Sequence, residues 1–418
     1  MNAKDVRPFW GRAAAYYSGA LAGLMFIGAL ALFGALRLIG YPLSPFAVLW
    51  PPRWHEIRLA RSECFVAKAR IALEAHRINE AILCLDVAYH DNPGNFDAGI
   101  ALAQLLSTGR PDSADSLYAA LMSDFPGRRT ATSEAWFRFL LVHGRFAQAA
   151  RLASARVIDD PAQQAAWLHG LFNVARYGNT EQPLRELVER QSARLEPIAI
   201  ALINSEILIR QGQGLQLLPG LTSALPPSAK AYAPFFQVSR LTALGRAADA
   251  LALLDRYAAA HRLSDADALQ LRLDVLAALG QHGQLCRRLS EAPVTARELE
   301  LISIHLVRHP DPAALTALGA CLRRSNLPAD NATFAGCAAF LVACGVSHDW
   351  EQLHSAEKLL QQFAGSHPVH FEAIETFFHQ PALDRVDAVL PLLPAVSVDL
   401  IYALYDRSFG GTTATPAP

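Results

Sequence analysis

The pattern of hydrophobic and polar residues divides the chain into two parts. The segment from Ala13 to Leu36 contains no charged residue, whereas later segments repeat apolar residues at the three- and four-residue spacing of amphipathic helices. In VHGRFAQAARLASARVIDDP, residues 142–161, one helical stripe after the glycine is formed by Phe146, Ala149, Ala150, Ala153 and Val157. Strand-like alternation of Val, Ile and Thr is almost absent, so the pattern predicts an all-α protein.

The uncharged segment predicts a single transmembrane helix over residues 13–38. Its 24 uncharged residues, Ala13 to Leu36, would extend about 36 Å as a helix, and the hydrocarbon core of a bilayer is about 30 Å thick. Arg12 and Arg37 bracket the segment. A cleaved signal peptide is the alternative, but the apolar run is too long and no A-x-A site closes it.

The membrane helix also carries a possible pairing motif. Gly19 and Gly23 form a G-x-x-x-G, which permits close packing of two helices in lipid. A homodimer through this helix is therefore one expected form of self-association.

The sequence leaves the orientation of the membrane helix open. Lys4, Arg7 and Arg12 precede it, which favours a cytoplasmic N-terminus and a periplasmic location for the rest of the chain. Basic residues further downstream weaken this bias. Six cysteines without a C-x-x-C also suit a reducing compartment.

The regions that flank the helical part have their own compositions. Residues 1–12 form an N-terminal tail, and residues 39–61, with four prolines between Tyr41 and Trp54, predict a stiff linker rich in aromatic residues. Residues 408–418 are small, polar and proline-rich, which predicts a disordered tail.

Glycines mark a regular repeat between these regions. Successive turn-like glycines are separated by 33 to 35 residues, and they are Gly109, Gly144, Gly178, Gly212, Gly245 and Gly280. Glycine often ends a helix because the left-handed cap carries no Cβ penalty. We therefore expect each glycine to close one helix and let a second fold back, giving about ten helical hairpins over residues 62–407.

The repeat resembles the tetratricopeptide repeat, a 34-residue helix–turn–helix unit, in a membrane-anchored bacterial setting. Phe65 and Ala69 stand at first-helix positions of the family. The second helix of the same unit is matched by Ala81, Leu85, Ala88 and Pro93, and its small first residue recurs at Ala114, Ala149 and Ala250. The likeness weakens after about residue 297. It implies an α-solenoid whose first helices line an inner surface.

The resemblance also implies a binding surface for proteins or peptides. Its register projects six residues onto the inner face, namely Arg70, Arg138, Phe172, Arg176, Arg210 and Phe235. A row of guanidinium groups would suit an acidic or C-terminal carboxylate ligand. The asparagine and lysine set of the family's carboxylate clamp is not found in this sequence.

Charge and motifs narrow the function classes. The net charge of −1 offers no global basic field for nucleic acid. No phosphate-binding, nucleophile-elbow or metalloprotease motif occurs, so we expect neither an enzyme nor a cofactor. His305 and His309 are four residues apart, but no acidic third ligand is near in sequence, and Cys337, Cys344 and His348 form a C-x6-C-x3-H.

Three functions remain open from the sequence. The leading expectation is a scaffold in the inner membrane that docks partner proteins, for example in envelope assembly or export. The first alternative is a regulatory adaptor that acts through its transmembrane helix in a larger membrane complex. The second is a cryptic metal-binding or enzymatic module within residues 297–407.

Overall fold

The chain is all-α, as the sequence predicts. The computed structural model is 84% helical and describes residues 9–49, 51–75, 77–223, 225, 232–281, 283–364, 386 and 396–410. No strand occurs among these residues. The chain divides into two compact units, Met1–Phe125 and Pro126–Pro418, and each is described by itself below.

The N-terminal unit contains an apolar helix followed by two hairpins. Its helices are α1 (Phe9–Leu38), α2 (Pro45–Leu49), α3 (Trp54–Glu74), α4 (Ile78–Asp91), α5 (Phe96–Gly109) and α6 (Pro111–Asp124). Helix α3 pairs with α4, and α5 pairs with α6. The hydroxyl of Ser62 ties the first hairpin together by donating to the Ala88 carbonyl at 2.7 Å.

Helix α1 is long and apolar enough to cross a membrane. The span Ala13–Leu38 has a mean hydropathy of 2.1, and its apolar window is 0% buried. Gly19 and Gly23 are on this exposed helix, and a Cβ added at either would meet nothing within 4 Å. Burial inside a protein core therefore does not explain the apolar character of α1.

The segment after α1 is more ordered than a simple linker. Ala47 of the short helix α2 and Leu43, just before that helix, pack against Ala60 of α3. Phe33 and Leu36 of α1 lie beside them. Helix α3 begins at Trp54, eight residues before the boundary expected from the repeat pattern, because its first turns complete this small apolar cluster.

The C-terminal unit continues the repeat with seven hairpins. Its helices are α7 (Arg129–Val142), α8 (Phe146–Asp159), α9 (Gln164–Tyr177), α10 (Gln182–Gln191), α11 (Pro197–Leu208), α12 (Leu218–Thr222), α13 (Tyr232–Ala243), α14 (Ala247–Ala259), α15 (Asp265–Ala278), α16 (Gly283–Glu291), α17 (Ala296–Arg308), α18 (Pro312–Arg324), α19 (Asn331–Val346), α20 (Trp350–Ala364) and α21 (Val398–Gly410).

Successive hairpins stack first helix on first helix. From α9 to α17, each first helix contacts the next one, ending with α19. Second helices also contact each other in the pairs α8 with α10, α12 with α14, α16 with α18 and α18 with α20. This nearest-neighbour packing is the pattern of a helical repeat array. The two units together contain nine hairpins among the described residues, against about ten expected.

The chain reverses at each of the six repeated glycines, and four of them adopt the left-handed conformation there. Gly144, Gly212, Gly245 and Gly280 have positive φ angles between 64° and 75°. At Gly178 the following residue, Asn179, takes the left-handed conformation instead, with φ 46°. Gly109 is simply the last residue of α5, and Pro111 opens the next helix. The chain reverses at all these positions, but only four of the six glycines use the conformational freedom of glycine.

Helix α21 departs from the repeat. Among the described residues its main contacts are with α17, α7 and α9, none of which is its neighbour in sequence. It also extends to Gly410, so residues 408–410, expected in a disordered tail, are helical. The rest of that tail and the first eight residues lie outside the described residues.

Candidate functional site

The first helices of the C-terminal unit line a groove. We define the inner groove as the surface formed by α7, α9, α13, α15 and α17, and α21 lies in it. Six consecutive residues of α21 are buried, namely Leu400, Ile401, Tyr402, Ala403, Leu404 and Tyr405. Since they span more than one helical turn, α21 is covered on every side.

Helix α21 runs in the same direction as the first helices. Near its start, Ser397 shares a cavity with Arg297 in the first turn of α17. Near its end, Asp406 lies 3.2 Å from Nε of Arg308, the last residue of α17. Helix α21 therefore lies alongside α17 from the first turn of α17 to its last residue.

A cluster of charges holds the end of α21. The carboxylate of Asp406 lies 3.3 Å from a guanidinium nitrogen of Arg176, and it also faces Arg308. The Tyr177 hydroxyl donates to the same carboxylate at 2.9 Å. Burial and the carboxylate raise the pKa of Tyr177 well above its ordinary value, so this hydroxyl remains a donor.

Aromatic contacts hold the last turns of α21. The Tyr405 hydroxyl donates to the Leu141 carbonyl of α7 at 2.7 Å. Its ring stacks on Tyr177 of α9 at 5.0 Å between centroids and meets the edge of Phe146 at 5.3 Å. Tyrosine combines a large apolar area with a polar tip, a combination common in protein–protein recognition.

Weaker polar contacts hold the start of α21. The Arg138 guanidinium of α7 donates to the Val396 carbonyl at 3.4 Å. His169 of α9 lies 3.8 Å from Asp399. Burial lowers the pKa of His169 below its ordinary value and outweighs the opposing effect of Asp399. The imidazole is therefore neutral at pH 7, and this contact is not a full ion pair.

Helix α21 does not fill the groove. A cavity of about 560 Å³ lies beside its first half, with Phe137, Trp167, Tyr232 and Phe235 among its walls. A second cavity of about 590 Å³ lies beside its second half, where Arg176, Arg240 and Arg308 contribute. The indole Nε1 of Trp167 is buried and has no hydrogen-bond acceptor among the described residues, so this wall offers a donor to a ligand.

Three of the six residues projected onto the inner face lie in this groove. Arg138 and Phe235 line the first cavity, and Phe235 also lines the second, beside Arg176. The ring of Phe235 meets His169 edge-on at 5.8 Å. The structure thus brings these residues together around α21.

The other three projected residues do not form part of the groove wall. Phe172 is fully buried, with its ring against Tyr232 and Phe236. It packs between α9 and α13 and presents no surface to a partner. The prediction is wrong here because a small rotation of the helix decides whether a residue faces the groove or the next helix. Arg70 is exposed on α3 in the other unit. Arg210 lies in the turn after α11, near Glu206 and Glu181.

His305 of α17 and His309, the residue just after α17, have an acidic neighbour on α15. Potential ligand atoms of Asp274, His305 and His309 lie within 4.8 Å of one another. Arg308 also faces this carboxylate, at 3.5 Å. Burial raises the pKa of Asp274, but Arg308 and His305 outweigh it and lower the pKa overall. Because the guanidinium already neutralises the carboxylate, we interpret the cluster as an ion-pair network.

The cysteine motif of α19 has the character of a packing helix. Cys337 and Cys344 are 1% and 0% exposed. Burial raises the pKa of the Cys337 thiol to about 12 and raises that of Cys344 as well. Metals bind the thiolate form, so such protonated thiols are poor ligands.

Sequence reasoning missed the residues that α21 contributes. Tyr402, Tyr405 and Asp406 fall within residues 62–407, which the sequence predicts to form helical hairpins, and no sequence motif singles them out. His169 and Trp167 were also missed, although their aromatic character at first-helix positions was visible. Only the tertiary path of the chain shows that these residues meet.

Neither a protein-family model nor a curated protein sequence matches this chain.

Proposed function

We propose that this chain is a membrane-anchored interaction protein that docks an acidic, aromatic segment of a partner protein in the inner groove. The observation that carries the proposal is α21 itself: the groove holds a helix through tyrosines and through Asp406. The same walls offer open cavities and the unpaired indole donor of Trp167.

The charge of the groove supports an acidic ligand. The second cavity receives Arg176, Arg240 and Arg308 from the first helices. Two of these, Arg176 and Arg308, meet a carboxylate of α21. Arginine is suited to carboxylate recognition because its planar fork donates several hydrogen bonds in fixed geometry. A partner segment without acidic residues would leave Arg176 without the carboxylate that it meets on α21.

The membrane helix defines where docking would occur. As part of the proposal, α1 anchors the chain by a single pass in the cytoplasmic membrane of a bacterium, with the C-terminal unit on the periplasmic side. The charge bias around residues 1–12 supports this side only slightly. A reporter fused after Pro418 tests it: activity of a periplasm-dependent reporter supports the assignment, and activity of a cytoplasm-dependent reporter overturns it.

Site-specific photocrosslinking in the native membrane tests the docking. A photoreactive residue replaces Gln270, which lines both cavities. The matched control places it at Ala248, an exposed residue of α14. We expect a discrete crosslinked species from position 270 that Arg176→Glu removes and Arg185→Glu preserves, because Arg185 pairs with Glu181 outside the groove. Equal crosslinking at both positions contradicts the proposal, as does the absence of crosslinking from position 270 both in wild type and in a chain with Tyr405→Ala and Asp406→Ala, two changes that weaken the contacts of α21.

A further inference from the structure

We propose that α21 is an autoinhibitory occupant of the inner groove, displaced by a partner helix that carries the same acidic and aromatic side chains. This inference rests on the proposed docking function and adds its regulation. In it, the C-terminal segment of the chain competes with the partner for one surface. The kind of partner is then defined by what α21 presents: tyrosines at residues 402 and 405 and carboxylates at residues 399 and 406.

The first argument is the position of α21 in the repeat array. Every other helix after α6 belongs to a hairpin or stacks on its neighbour in sequence, among the described residues. Helix α21 instead contacts α7 and α9, whose residues precede it by more than 220 positions. The stacking of each hairpin on the next does not require α21, because a repeat array is stabilised by contacts between neighbouring hairpins.

The second argument is the nature of the interface. Helix α21 is held by tyrosine hydroxyls that bond main-chain or carboxylate groups, and by a carboxylate between two arginines. Large cavities of about 560 Å³ and 590 Å³ adjoin it. Both cavities open to the surface, so the groove keeps room beside α21 for a ligand. Aromatic anchors with polar surroundings are typical of a bound peptide helix.

The third argument is that α21 and the groove belong to one chain. Binding of α21 in the groove is therefore intramolecular, whereas a partner must bind from solution. A free partner competes only when it binds more tightly than α21, or when the contacts of α21 are weakened. The groove occupied by α21 is therefore the state of the protein that does not bind a partner.

Hydrogen exchange on the full chain in detergent gives the first test. If α21 leaves the groove by local opening, its amides exchange at least tenfold faster than the slowest amides of α17 and α19. If the amides of α21 exchange only as slowly as those of α17, the helix is an integral part of the unit and the inference is overturned. This measurement needs no variant, so it decides the matter even if the variants below fold poorly.

A peptide of residues 396–410, VSVDLIYALYDRSFG, is the probe for the second test. Its binding is measured to the full wild-type chain and to the full chain with Tyr405→Ala and Asp406→Ala. Because these changes weaken only the resident helix, we expect the labelled peptide to bind the variant at least tenfold more tightly. A variant that is folded by circular dichroism and binds no better than wild type overturns the inference.

Groove contacts provide matched controls for the peptide. Adding Arg176→Ala to the variant removes a groove partner of Asp406 and should weaken peptide binding about tenfold. Adding Arg185→Ala removes an arginine that pairs with Glu181 and should leave binding unchanged. Equal effects of the two changes would contradict binding in the groove.

The two proposals fail in different ways. A chain that crosslinks a partner from position 270 while α21 exchanges no faster than α17 keeps the docking function and overturns autoinhibition. A chain that binds the peptide in the groove, while position 270 captures nothing even with Tyr405→Ala and Asp406→Ala, supports autoinhibition and contradicts docking in the cell.

Discussion

At the scale of single residues, a buried ion pair joins two neighbouring first helices. Arg240 Nε of α13 lies 2.8 Å from a carboxylate oxygen of Glu206 on α11, with side-chain exposures of 13% and 3%. The guanidinium also lies over the ring of Phe236, at 5.3 Å from its centroid. Such a pair contributes little net stability, but removing one partner leaves a buried charge uncompensated.

We therefore expect Glu206→Gln to destabilise the C-terminal unit by about 3 kcal/mol, since the Arg240 charge loses its counter-ion. The midpoint of urea unfolding, followed by circular dichroism, measures the change. Glu181→Gln is the control, because its pair with Arg185 is on the surface and should leave the midpoint close to wild type. A Glu206 variant as stable as the control would show that the buried pair is dispensable.

The imidazole of His169 gives the groove a pH dependence. Burial lowers its pKa below the ordinary value of about 6.5, as do Arg240 of α13 and Arg308 of α17, while Asp399 and Asp406 of α21 oppose the shift. Since the folded state favours the neutral ring, the unfolded state binds more protons below pH 6.5. Stability contributed by the neutral ring is complete above that pH and declines as the pH falls further.

We expect the free energy of unfolding of the wild-type chain to fall between pH 7.5 and pH 5.5. In the His169→Gln variant this fall should be smaller. Urea unfolding at several pH values measures it, and exchange of the α21 amides reports whether the loss is local to the groove. Parallel pH profiles for wild type and variant would contradict a role for this imidazole.

At the scale of elements, the glycine turns show which part of the repeat depends on residue type. At Gly245, φ is 74°, and an added Cβ would meet nothing within 4 Å, so any penalty comes from the backbone alone. We expect Gly245→Ala to cost about 1 kcal/mol, the penalty of a left-handed conformation for alanine. Gly109→Ala, at a helical position with equally open space, should instead be neutral or slightly stabilising.

Thermal unfolding of the two glycine variants, compared with wild type in the same detergent, measures this difference. Equal effects at the two positions would mean that the spacing of the turns matters and the left-handed conformation does not.

The helices and their pairing could be predicted from the sequence because they are local. A glycine that follows an apolar stripe commonly ends a helix, and the turn bonds show this at Gly144, where Arg145 N–H donates to the Leu140 carbonyl at 2.8 Å. The start of α3 was placed eight residues late, because the apolar cluster that extends it includes residues of α1 and α2. Helix boundaries depend on such contacts as well as on the repeat.

The candidate site was less predictable, for a geometric reason. The register placed Phe172 and Phe235 on one face, yet Phe172 is fully buried and Phe235 borders the cavities. Whether a side chain faces the groove depends on helix rotation, which a 34-residue period does not specify. The return of α21 depends on contacts such as Tyr405 to Leu141, which are 264 residues apart, and no local pattern encodes them.

At the scale of the whole molecule, the function depends on whether α1 holds the chain in a bilayer. Leu24 and Ile27 lie near the centre of the span Ala13–Leu38 and are 71% and 67% exposed. An exposed apolar helix of this length is unfavourable in water, and in lipid its backbone groups are satisfied within the helix. The same span in a cleaved signal peptide would be absent from the mature chain.

We expect the wild-type chain to float with membranes at its full mass, and the double variant Leu24→Arg and Ile27→Arg to lose membrane association. Each arginine at the helix centre raises the insertion free energy by about 2.5–3.5 kcal/mol. Leu24→Ile is the control and should float like wild type, because it preserves the apolar character of the helix. Density-gradient flotation with intact-mass measurement separates the outcomes: a mature chain shortened after residue 38 indicates a signal peptide, and flotation of the double variant indicates that contacts other than α1 hold the chain at the membrane.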